Sequence, residues 1–341
     1  MVSNIKRKEI KMHYASPQVP ALPNGNWTLE KGFEEFARYC SLKNLRPKTL
    51  HSYEHTFTRF KNFIEDNNKS VLTGTLSTLD VENYILHLKN SGMRETSVNT
   101  YLRGLRTYLN FLHEHDASIK FKIPIYKADK KIKETYSDSE LYKLLQKPNL
   151  CTCSFTDYRN WVIVNFFLAT GVRVSTLVNI KIEDLDFDFN RIHLIYTKSR
   201  KSYIIPMSLQ IKDILQEYLS IRKGEDSDYL FCNSYGEQTT TDSIKHAITK
   251  YNKSRGVTRV GLHSFRHTFA KKAVLNGVNV FVLQRLMGHA DISVTREYVD
   301  LYAEDLANNI EKYNPLDTLL SNNLTSKHYK KDNKKRKIQM Y

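Results

Sequence analysis

Cysteine, glycine and proline are all scarce in this chain of 341 residues. Four cysteines are too few for a disulfide framework and suit a reducing compartment. Twelve glycines and eight prolines exclude a collagen-like or low-complexity chain. No apolar run reaches the roughly 18–20 residues of a membrane span, and none follows the first basic residues as in a signal peptide. We therefore expect a cytoplasmic protein that does not enter a membrane.

The composition is that of a folded and strongly basic protein. Hydrophobic residues make up 40% and aromatic residues 11% of the sequence, which is enough to form sizeable cores. Lys and Arg number 52 against 36 Asp and Glu, giving a formal net charge of +16. This excess favours a polyanionic partner, either nucleic acid or an anionic membrane surface. Because one domain takes roughly 150 residues, the length predicts two domains.

Two basic segments mark the predicted domain boundaries. Residues 117–135 carry six lysines against one Asp and one Glu, show no regular period and contain Pro124, which predicts an interdomain linker. Residues 326–341 carry seven basic residues and one acidic residue. They predict a tail that either contacts phosphates non-specifically or is simply solvated. The resulting division is a flexible segment at 1–26, a domain at 27–116, the linker at 117–135, a domain at 136–325 and the tail at 326–341.

The first predicted domain has helical periodicity throughout. Its apolar positions recur three and four residues apart in four runs, which begin at Leu29, Leu50, Leu79 and Val98. Pro47 suits a first helical position, and Gly92 suits a helix end. Five polar residues on these helices are candidates for contacts with a nucleic-acid backbone, or are ordinary solvated positions: Arg46, Lys48, Thr49, Arg103 and Arg106.

The second predicted domain is mostly helical with a small sheet inserted. Ser137 and Glu140 have the spacing of a capping box, and Gly171 ends a long apolar helix. The runs RIHLIY and SYIIP flank a polar basic turn and predict a β-hairpin. Further helices are predicted at about 208–222 and 241–254 and through the segments that follow.

Six residues in this half carry side chains suited to phosphoryl transfer without a metal: Arg173, Lys198, His263, Arg266, His289 and Tyr298. Arginine binds non-bridging phosphate oxygens with paired N–H groups, histidine exchanges protons near neutral pH, and lysine can protonate a leaving alkoxide. Tyrosine, whose pKa is about 10, becomes a nucleophile where positive neighbours offset that value. Residue type alone leaves each of them open to an ordinary surface or core role.

Four strings in this half, in this order, are similar to those of the tyrosine recombinase family, which includes phage integrases, Xer proteins and Cre: ATGVRVSTL, TKSRKSYIIP, LHSFRHTFA and LMGHADISVTREY. The interval from His289 to Tyr298 also matches the family. The resemblance covers nearly the whole chain. It implies a mainly α fold with a small β-sheet (α+β), in which residues 27–116 form a helical, SAM-like core-binding domain and residues 136–325 the catalytic domain.

The resemblance also implies the chemistry of the reaction. Tyr298 would attack the scissile phosphate and form a 3′-phosphotyrosyl link. Arg173 and Arg266 would hold the non-bridging oxygens and neutralise charge in the transition state. The covalent link would keep the energy of the phosphodiester for rejoining, so that no nucleotide or metal cofactor is implied. In agreement, the sequence contains neither a P-loop nor an H-E-x-x-H motif.

The remaining three residues are implied to handle protons and the phosphate. His263 would serve as acid and base, Lys198 would protonate the 5′-hydroxyl leaving group, and His289 would donate a hydrogen bond to the phosphate. Two supporting positions depart from the family pattern, since Thr176 replaces a frequent acidic residue and Tyr203 a frequent arginine. These departures concern efficiency or local packing rather than the type of reaction.

Other chemically suggestive residues have simpler interpretations. Cys151 and Cys153 lack a second pair nearby and are interpreted as loop thiols rather than metal ligands. His51 and His55 lie one helical turn apart without carboxylate partners, which favours solvent or core positions. His267, inside the string that holds Arg266, is interpreted as support for packing.

Four functions stay open at this point. A site-specific recombinase that integrates or excises a mobile element agrees with all six residues, and an Xer-like role in resolving chromosome or plasmid dimers uses the same chemistry. A non-catalytic DNA-binding relative would need no nucleophile, and a type IB topoisomerase would share the reaction. The implied partners are double-stranded DNA with core recombination sites, three further copies in a homotetramer on two sites, and an accessory excisionase. Residues near 305–320 are expected to dock on a neighbouring protomer rather than on their own domain.

Overall fold

The computed structural model describes residues 27–127, 133–197, 201–259 and 261–301. The chain divides into two compact units, Met1–Lys130 and Lys131–Tyr341, each with its own hydrophobic core. Both are mainly helical, and a small sheet lies in the second. Among the described residues, none of the helices combines the length and the apolar character needed to cross a membrane.

The first unit contains the four helices that the apolar periodicity predicts. They are α1 (Leu29–Leu42), α2 (Pro47–Asp66), α3 (Thr78–Asn90) and α4 (Glu95–Glu114). Pro47 occupies the first turn of α2, and a capping box between Ser77 and Asp80 starts α3. One apolar position was assigned wrongly: Leu79 is 59% exposed, because it lies just after the cap and away from the face that buries Val81.

The beginning of the predicted linker is packed against the first unit. Ala117, Phe121 and Ile123 are buried in its core, whereas the lysines between them point outward. The side chain of Asn99 donates to the carbonyl oxygen of Tyr126 and accepts from its N–H, each at 2.9 Å. This run of alternating apolar and basic residues is too short to predict a strand, but it fixes the chain to α4.

The hydrophobic core of the second unit is built around one buried helix, α6. Its helices are α5 (Asp138–Leu145), α6 (Phe155–Thr170), α7 (Val174–Leu177), α8 (Leu209–Arg222), α9 (Thr241–Ser254), α10 (Leu262–Leu275), α11 (Val280–Met287) and α12 (Ile292–Leu301). The predicted capping box starts α5, where Glu140 N–H donates to the Ser137 hydroxyl at 3.2 Å. The predicted helix end is also confirmed, since Gly171 closes α6 with φ of +61°.

The predicted hairpin is confirmed and gains a third strand. The antiparallel order is β1 (Leu185–Asp186), β2 (Arg191–Leu194) and β3 (Tyr203–Pro206), with Leu194 opposite Tyr203. Helix α10 packs on α6, and α11 and α12 pack on α10 around a separate small cluster that includes Met287 and Tyr298. These contacts place the C-terminal end of α6, the start of α10 and helix α12 next to one another.

Candidate active site

The second unit brings five of the six candidate catalytic residues into one region. Arg173 precedes α7, His263 and Arg266 lie in the first turns of α10, His289 follows α11, and Tyr298 lies in α12. The sixth candidate, Lys198, lies outside the described residues.

Arg266 is the central charged group of this region. Its guanidinium is 4% exposed and donates to the carbonyl oxygens of Gly171 at 2.6 Å and Met287 at 2.7 Å, and to Nε2 of His289 at 2.7 Å. Burial, followed by the nearby charge of Arg173, lowers the pKa of Arg266 to about 10. The guanidinium therefore still carries its charge at neutral pH, and these three hydrogen-bond partners are neutral groups.

His289 is held in one neutral form by two hydrogen bonds. Because Arg266 can only donate, Nε2 of His289 must accept, and Nδ1–H then donates to the Thr295 hydroxyl at 2.8 Å. His289 is 8% exposed and Thr295 is completely buried. Burial, with the charges of Arg266 and Arg173, lowers the pKa of His289 to about 3. Both ring nitrogens are thus engaged within the protein.

Arg173 adds a second positive charge beside Arg266. It is half-buried and donates to the Gly288 carbonyl oxygen at 3.3 Å. Across the described residues, neither guanidinium forms an ion pair with a carboxylate. Two partly desolvated cations that lack an anion favour a negatively charged group between them.

The hydroxyl of Tyr298 lies within this cluster and contacts a histidine. Tyr298 is 3% exposed, and its Oη lies 2.8 Å from Nδ1 of His267. The rings of His289 and Tyr298 are nearly parallel, with their centroids 6.4 Å apart. Lys133 Nζ lies 4.0 Å from the centre of the Tyr298 ring and 2.9 Å from the Glu297 carboxylate. The nucleophile candidate is thus enclosed by basic side chains.

His267 is the functional candidate that the sequence interpretation underrated. It was expected to support packing, but it contacts the hydroxyl of Tyr298 directly. His263 lies one turn earlier on α10 and is exposed, and the ring centroids of His263 and His267 are 6.4 Å apart. The four-residue spacing of the two histidines already indicated a shared helix face. Only the packing of α12 on α10 shows that this face meets Tyr298.

The two departures from the family pattern have local explanations. Thr176 is 3% exposed in α7, so the position of the frequent acidic residue is buried here. Tyr203 packs against Gly288, and burial raises the pKa of its hydroxyl, although Arg266 and Arg173 act in the opposite direction. An aromatic ring therefore fills the place next to the arginine pair.

The candidate DNA contacts of the first unit differ in exposure. Arg46, Lys48 and Arg103 are exposed, and Thr49 is half-buried. The guanidinium of Arg106 donates to the carbonyl oxygen of Ile123 and therefore serves the fold of this unit. Within the described ranges, no cluster of three or more His, Cys, Asp or Glu is arranged to bind a metal ion.

The family resemblance is confirmed by two family models. The model of the phage integrase family matches residues 135–305, and that of the phage integrase N-terminal SAM-like domain matches residues 33–116. The chain therefore belongs to the phage integrase family, the tyrosine recombinases.

Relatives and solved structures agree with this assignment. Tyrosine recombinase XerD of Oceanobacillus iheyensis is 26% identical over 301 residues, which covers 84% of this chain and 99% of XerD. Tyrosine recombinase XerC of Thermodesulfovibrio yellowstonii is 28% identical over 277 residues, covering 77% of this chain and 91% of XerC.

Two solved structures share the fold. The Tn1549 transposon integrase in complex with transposon right end DNA has a TM-score of 0.64 at 20% identity, covering 84% of this chain and 99% of that chain. A lambda integrase dimer bound to a core site has a TM-score of 0.63 at 15% identity, covering 80% of this chain and 77% of that chain.

Proposed function

We propose that this chain is a site-specific recombinase that cuts and rejoins double-stranded DNA through a 3′-phosphotyrosyl intermediate, in the integration or excision of a mobile element. One observation carries the proposal. Arg266 lies within electrostatic range of both Tyr298 and Arg173, and neither guanidinium has a carboxylate partner among the described residues. A phosphodiester would supply the two guanidinium groups with the anion that the described residues do not provide.

Strand cleavage uses Tyr298 as the nucleophile and the two arginines as electrostatic support. Tyr298 Oη attacks phosphorus, and Arg173 and Arg266 neutralise the charge that develops on the non-bridging oxygens. A preorganised donor of this type contributes roughly 10²–10³ in rate. Arg266 is well suited because protein dipoles already fix its guanidinium before the substrate arrives.

The other three residues act on protons and on the phosphate. Lys198 protonates the 5′-oxygen as it leaves, and His263 exchanges protons at the phosphate from its exposed position. His289 first orients Arg266 through Nε2. When the phosphate accepts that N–H of Arg266, Nε2 of His289 loses its hydrogen bond. The ring proton then moves from Nδ1 to Nε2, and Nε2–H donates to the phosphate.

Contacts with the DNA backbone come from the first unit. Arg46, Lys48 and Arg103 are exposed, as phosphate contacts require, and Thr49 supports them at the start of α2. Replacing Lys48 or Arg103 by Ala should weaken binding similarly for all DNA sequences. Each replacement should also reduce the slope of log K against log salt concentration by about 1, the contribution of one phosphate contact. Arg106→Ala should instead lower stability, since its guanidinium serves the Ile123 carbonyl.

The active assembly is a homotetramer on two DNA sites, with an accessory excisionase setting the direction. The segment 305–320, which lies outside the described residues, docks on a neighbouring protomer. In the sequence, Leu306, Ile310 and Tyr313 recur at spacings of four and three, and Leu316, Leu319 and Leu320 follow Pro315. One protomer would bury these apolar residues on the next. Such docking links the position of Tyr298 in one protomer to its neighbour.

The test begins by selecting a duplex from a random-sequence pool through repeated gel-shift binding to the full-length chain. A nicked version of this selected duplex traps the covalent adduct, which survives denaturing electrophoresis. We expect the wild-type chain to form the adduct with EDTA present, and Tyr298→Phe to bind equally well without forming it. An adduct from Tyr298→Phe would remove Tyr298 from its role, and a requirement for Mg²⁺ or Mn²⁺ would contradict the mechanism.

A second candidate is resolution of chromosome or plasmid dimers, favoured by the match to XerD over 99% of that protein's length. The two roles differ in what recombines. A plasmid with two directly repeated selected sites should be resolved in the absence of accessory proteins in the dimer-resolution role. Integration requires joining of two separate circles. Relaxation of plasmids that lack the site, without recombination, would indicate a topoisomerase.

A further inference from the structure

The contact between His267 and Tyr298 has a role in the reaction that the family motif does not specify. Helix α10 carries Arg266 and His267 as adjacent residues, so their side chains point about 100° apart around the helix axis. Arg266 turns toward Gly171 and Met287, whereas His267 turns toward α12. One helix therefore supplies a group for the phosphate and a group for the nucleophile.

His267 can accept this hydrogen bond because its imidazole is neutral. Burial, followed by the charges of Lys133, His263 and Arg266, lowers the pKa of His267 to about 4. The imidazole is therefore neutral at pH 7 and has one nitrogen with a free lone pair. In the tautomer that carries its proton on Nε2, Nδ1 of His267 accepts this hydrogen bond and the Tyr298 hydroxyl donates it.

We propose that His267 is the proton acceptor for Tyr298 during strand cleavage. The Oη–H bond breaks as Oη bonds to phosphorus, and the proton moves to Nδ1 of His267. The P–O5′ bond breaks, and its electron pair leaves with the 5′-oxygen, which takes a proton from Lys198. On rejoining, the 5′-oxygen bonds to phosphorus and gives its proton back to Lys198, the P–Oη bond breaks, and the imidazolium returns its proton to Oη. This proposal rests on the proposed recombinase function.

The charges around His267 connect its basicity to the substrate. Burial, with the positive charges of Lys133 and Arg266, holds it neutral and weakly basic before DNA binds. A phosphodiester beside Arg266 offsets the charge of that guanidinium, which makes protonation of His267 easier. The tyrosine is thus kept protonated until a phosphate is in place. This arrangement protects the nucleophile from reacting elsewhere.

Two variants separate hydrogen bonding from proton transfer. His267→Asn places an amide oxygen near the position of Nδ1, which can accept from Tyr298 but cannot take its proton. His267→Gln extends the amide toward the position of Nε2 and serves as the matched control for loss of the ring. Single-turnover adduct formation is measured at saturating selected duplex, with affinity from gel shifts and the unfolding temperature recorded for each variant.

A second substrate identifies which side of the reaction is affected. A duplex with a 5′-bridging phosphorothiolate has a leaving group that needs no proton. We expect His267→Asn to slow adduct formation by roughly 10²-fold or more on both substrates, with a rate that rises with pH as the phenol ionises. Lys198→Ala should be slow on the ordinary duplex and restored on the phosphorothiolate duplex.

Several results would overturn the proposal. One is a rate of adduct formation by His267→Asn within threefold of wild type. Another is recovery of the His267→Asn rate on the phosphorothiolate duplex. The ¹⁵N shifts of His267 in the wild-type chain, assigned by comparison with His267→Asn, offer a test that does not depend on a variant's folding. A proton on Nδ1 would contradict the role. No adduct from the wild-type chain would contradict the recombinase function itself, whereas a normal His267→Asn rate contradicts only this step.

Discussion

Arg266 and His289 share a hydrogen bond of 2.7 Å, in which the guanidinium donates to Nε2 of the imidazole. The contact decides the tautomer of His289, because the remaining ring proton must then lie on Nδ1. That proton is donated to the hydroxyl of Thr295, which is completely buried. A short chain of hydrogen bonds therefore runs from α12 to the central arginine.

Replacing Thr295 by Val should break this chain with little change in volume. The Nδ1–H of His289 would lose its acceptor in a buried site, which destabilises the fold by about 1–3 kcal/mol. Adduct formation should fall as well, because His289 no longer holds Arg266. Urea unfolding and single-turnover cleavage measure the two effects. Thr295→Ser keeps the hydroxyl and is the control; equal losses in both variants would show that the methyl group, not the hydrogen bond, matters.

Arg266 and Arg173 should differ in stability although both support cleavage. Arg266→Ala leaves the buried carbonyls of Gly171 and Met287 without their donor, at about 1–3 kcal/mol each. Arg173→Ala removes one long bond from a half-buried side chain, worth about 1 kcal/mol or less. Adduct formation should fall roughly 10²–10³-fold in each. Equal unfolding free energies for the two variants would contradict this division of roles.

The sequence predicted the helices, because they follow from local patterns. The four helices of the first unit come from one periodic apolar face each, and Gly171 marks the end of α6. Contacts between distant segments were not predictable in this way. His267 contacts Tyr298, which is 31 positions later in the sequence. Phe121 is buried in the core of the first unit, although the lysines on either side of it made the segment resemble an exposed linker.

The position after α11 should accept no side chain. Gly288 has φ of +59°, and a methyl group there would lie 2.5 Å from the ring of Tyr203. Gly288→Ala should therefore combine a backbone penalty of about 1–2 kcal/mol with a steric one. Gly256→Ala is the matched control, since its φ is +68° and no atom lies within 4 Å of the added carbon. Urea unfolding compares them.

A double variant separates the two parts of that penalty. Tyr203→Leu combined with Gly288→Ala should recover the steric part and leave the backbone part, so that the double variant loses about 0.5–3 kcal/mol less stability than the sum of the two single losses. Strictly additive effects, or equal losses for Gly288→Ala and Gly256→Ala, would show that the Tyr203 ring moves aside freely.

Truncation after Asn314 tests the proposed docking between protomers. The removed residues begin with Pro315 and include Leu316, Leu319 and Leu320, all outside the described structure. Binding of one protomer to a single half-site should be unchanged, because the DNA-contacting candidates remain. Cooperative binding of two protomers and recombination should both weaken. Gel shifts on one and two half-sites give the measurement, and full recombination by the truncated chain would contradict docking in trans.

Lowering the pH should destabilise the second unit through its buried histidines. The pKa of His267 is lowered to about 4 and that of His289 to about 3, against about 6.5 for an unfolded histidine. Between these values the unfolded chain binds more protons than the folded chain, so stability falls as pH decreases. The stability that they contribute is complete above about pH 6.5 and is lost progressively toward pH 4 and below.

Each histidine adds at most about 1.4 kcal/mol per pH unit to this slope. His289→Gln keeps an acceptor for Arg266 but does not titrate, so its unfolding free energy should vary less steeply with pH than that of the wild type between pH 4.5 and 6.5. Urea unfolding at half-unit intervals gives both slopes. An unchanged slope would mean that folding does not lower the pKa of His289 and that its imidazole is doubly protonated at the lower end of this pH range. A doubly protonated ring would also contradict the direction of its hydrogen bond with Arg266.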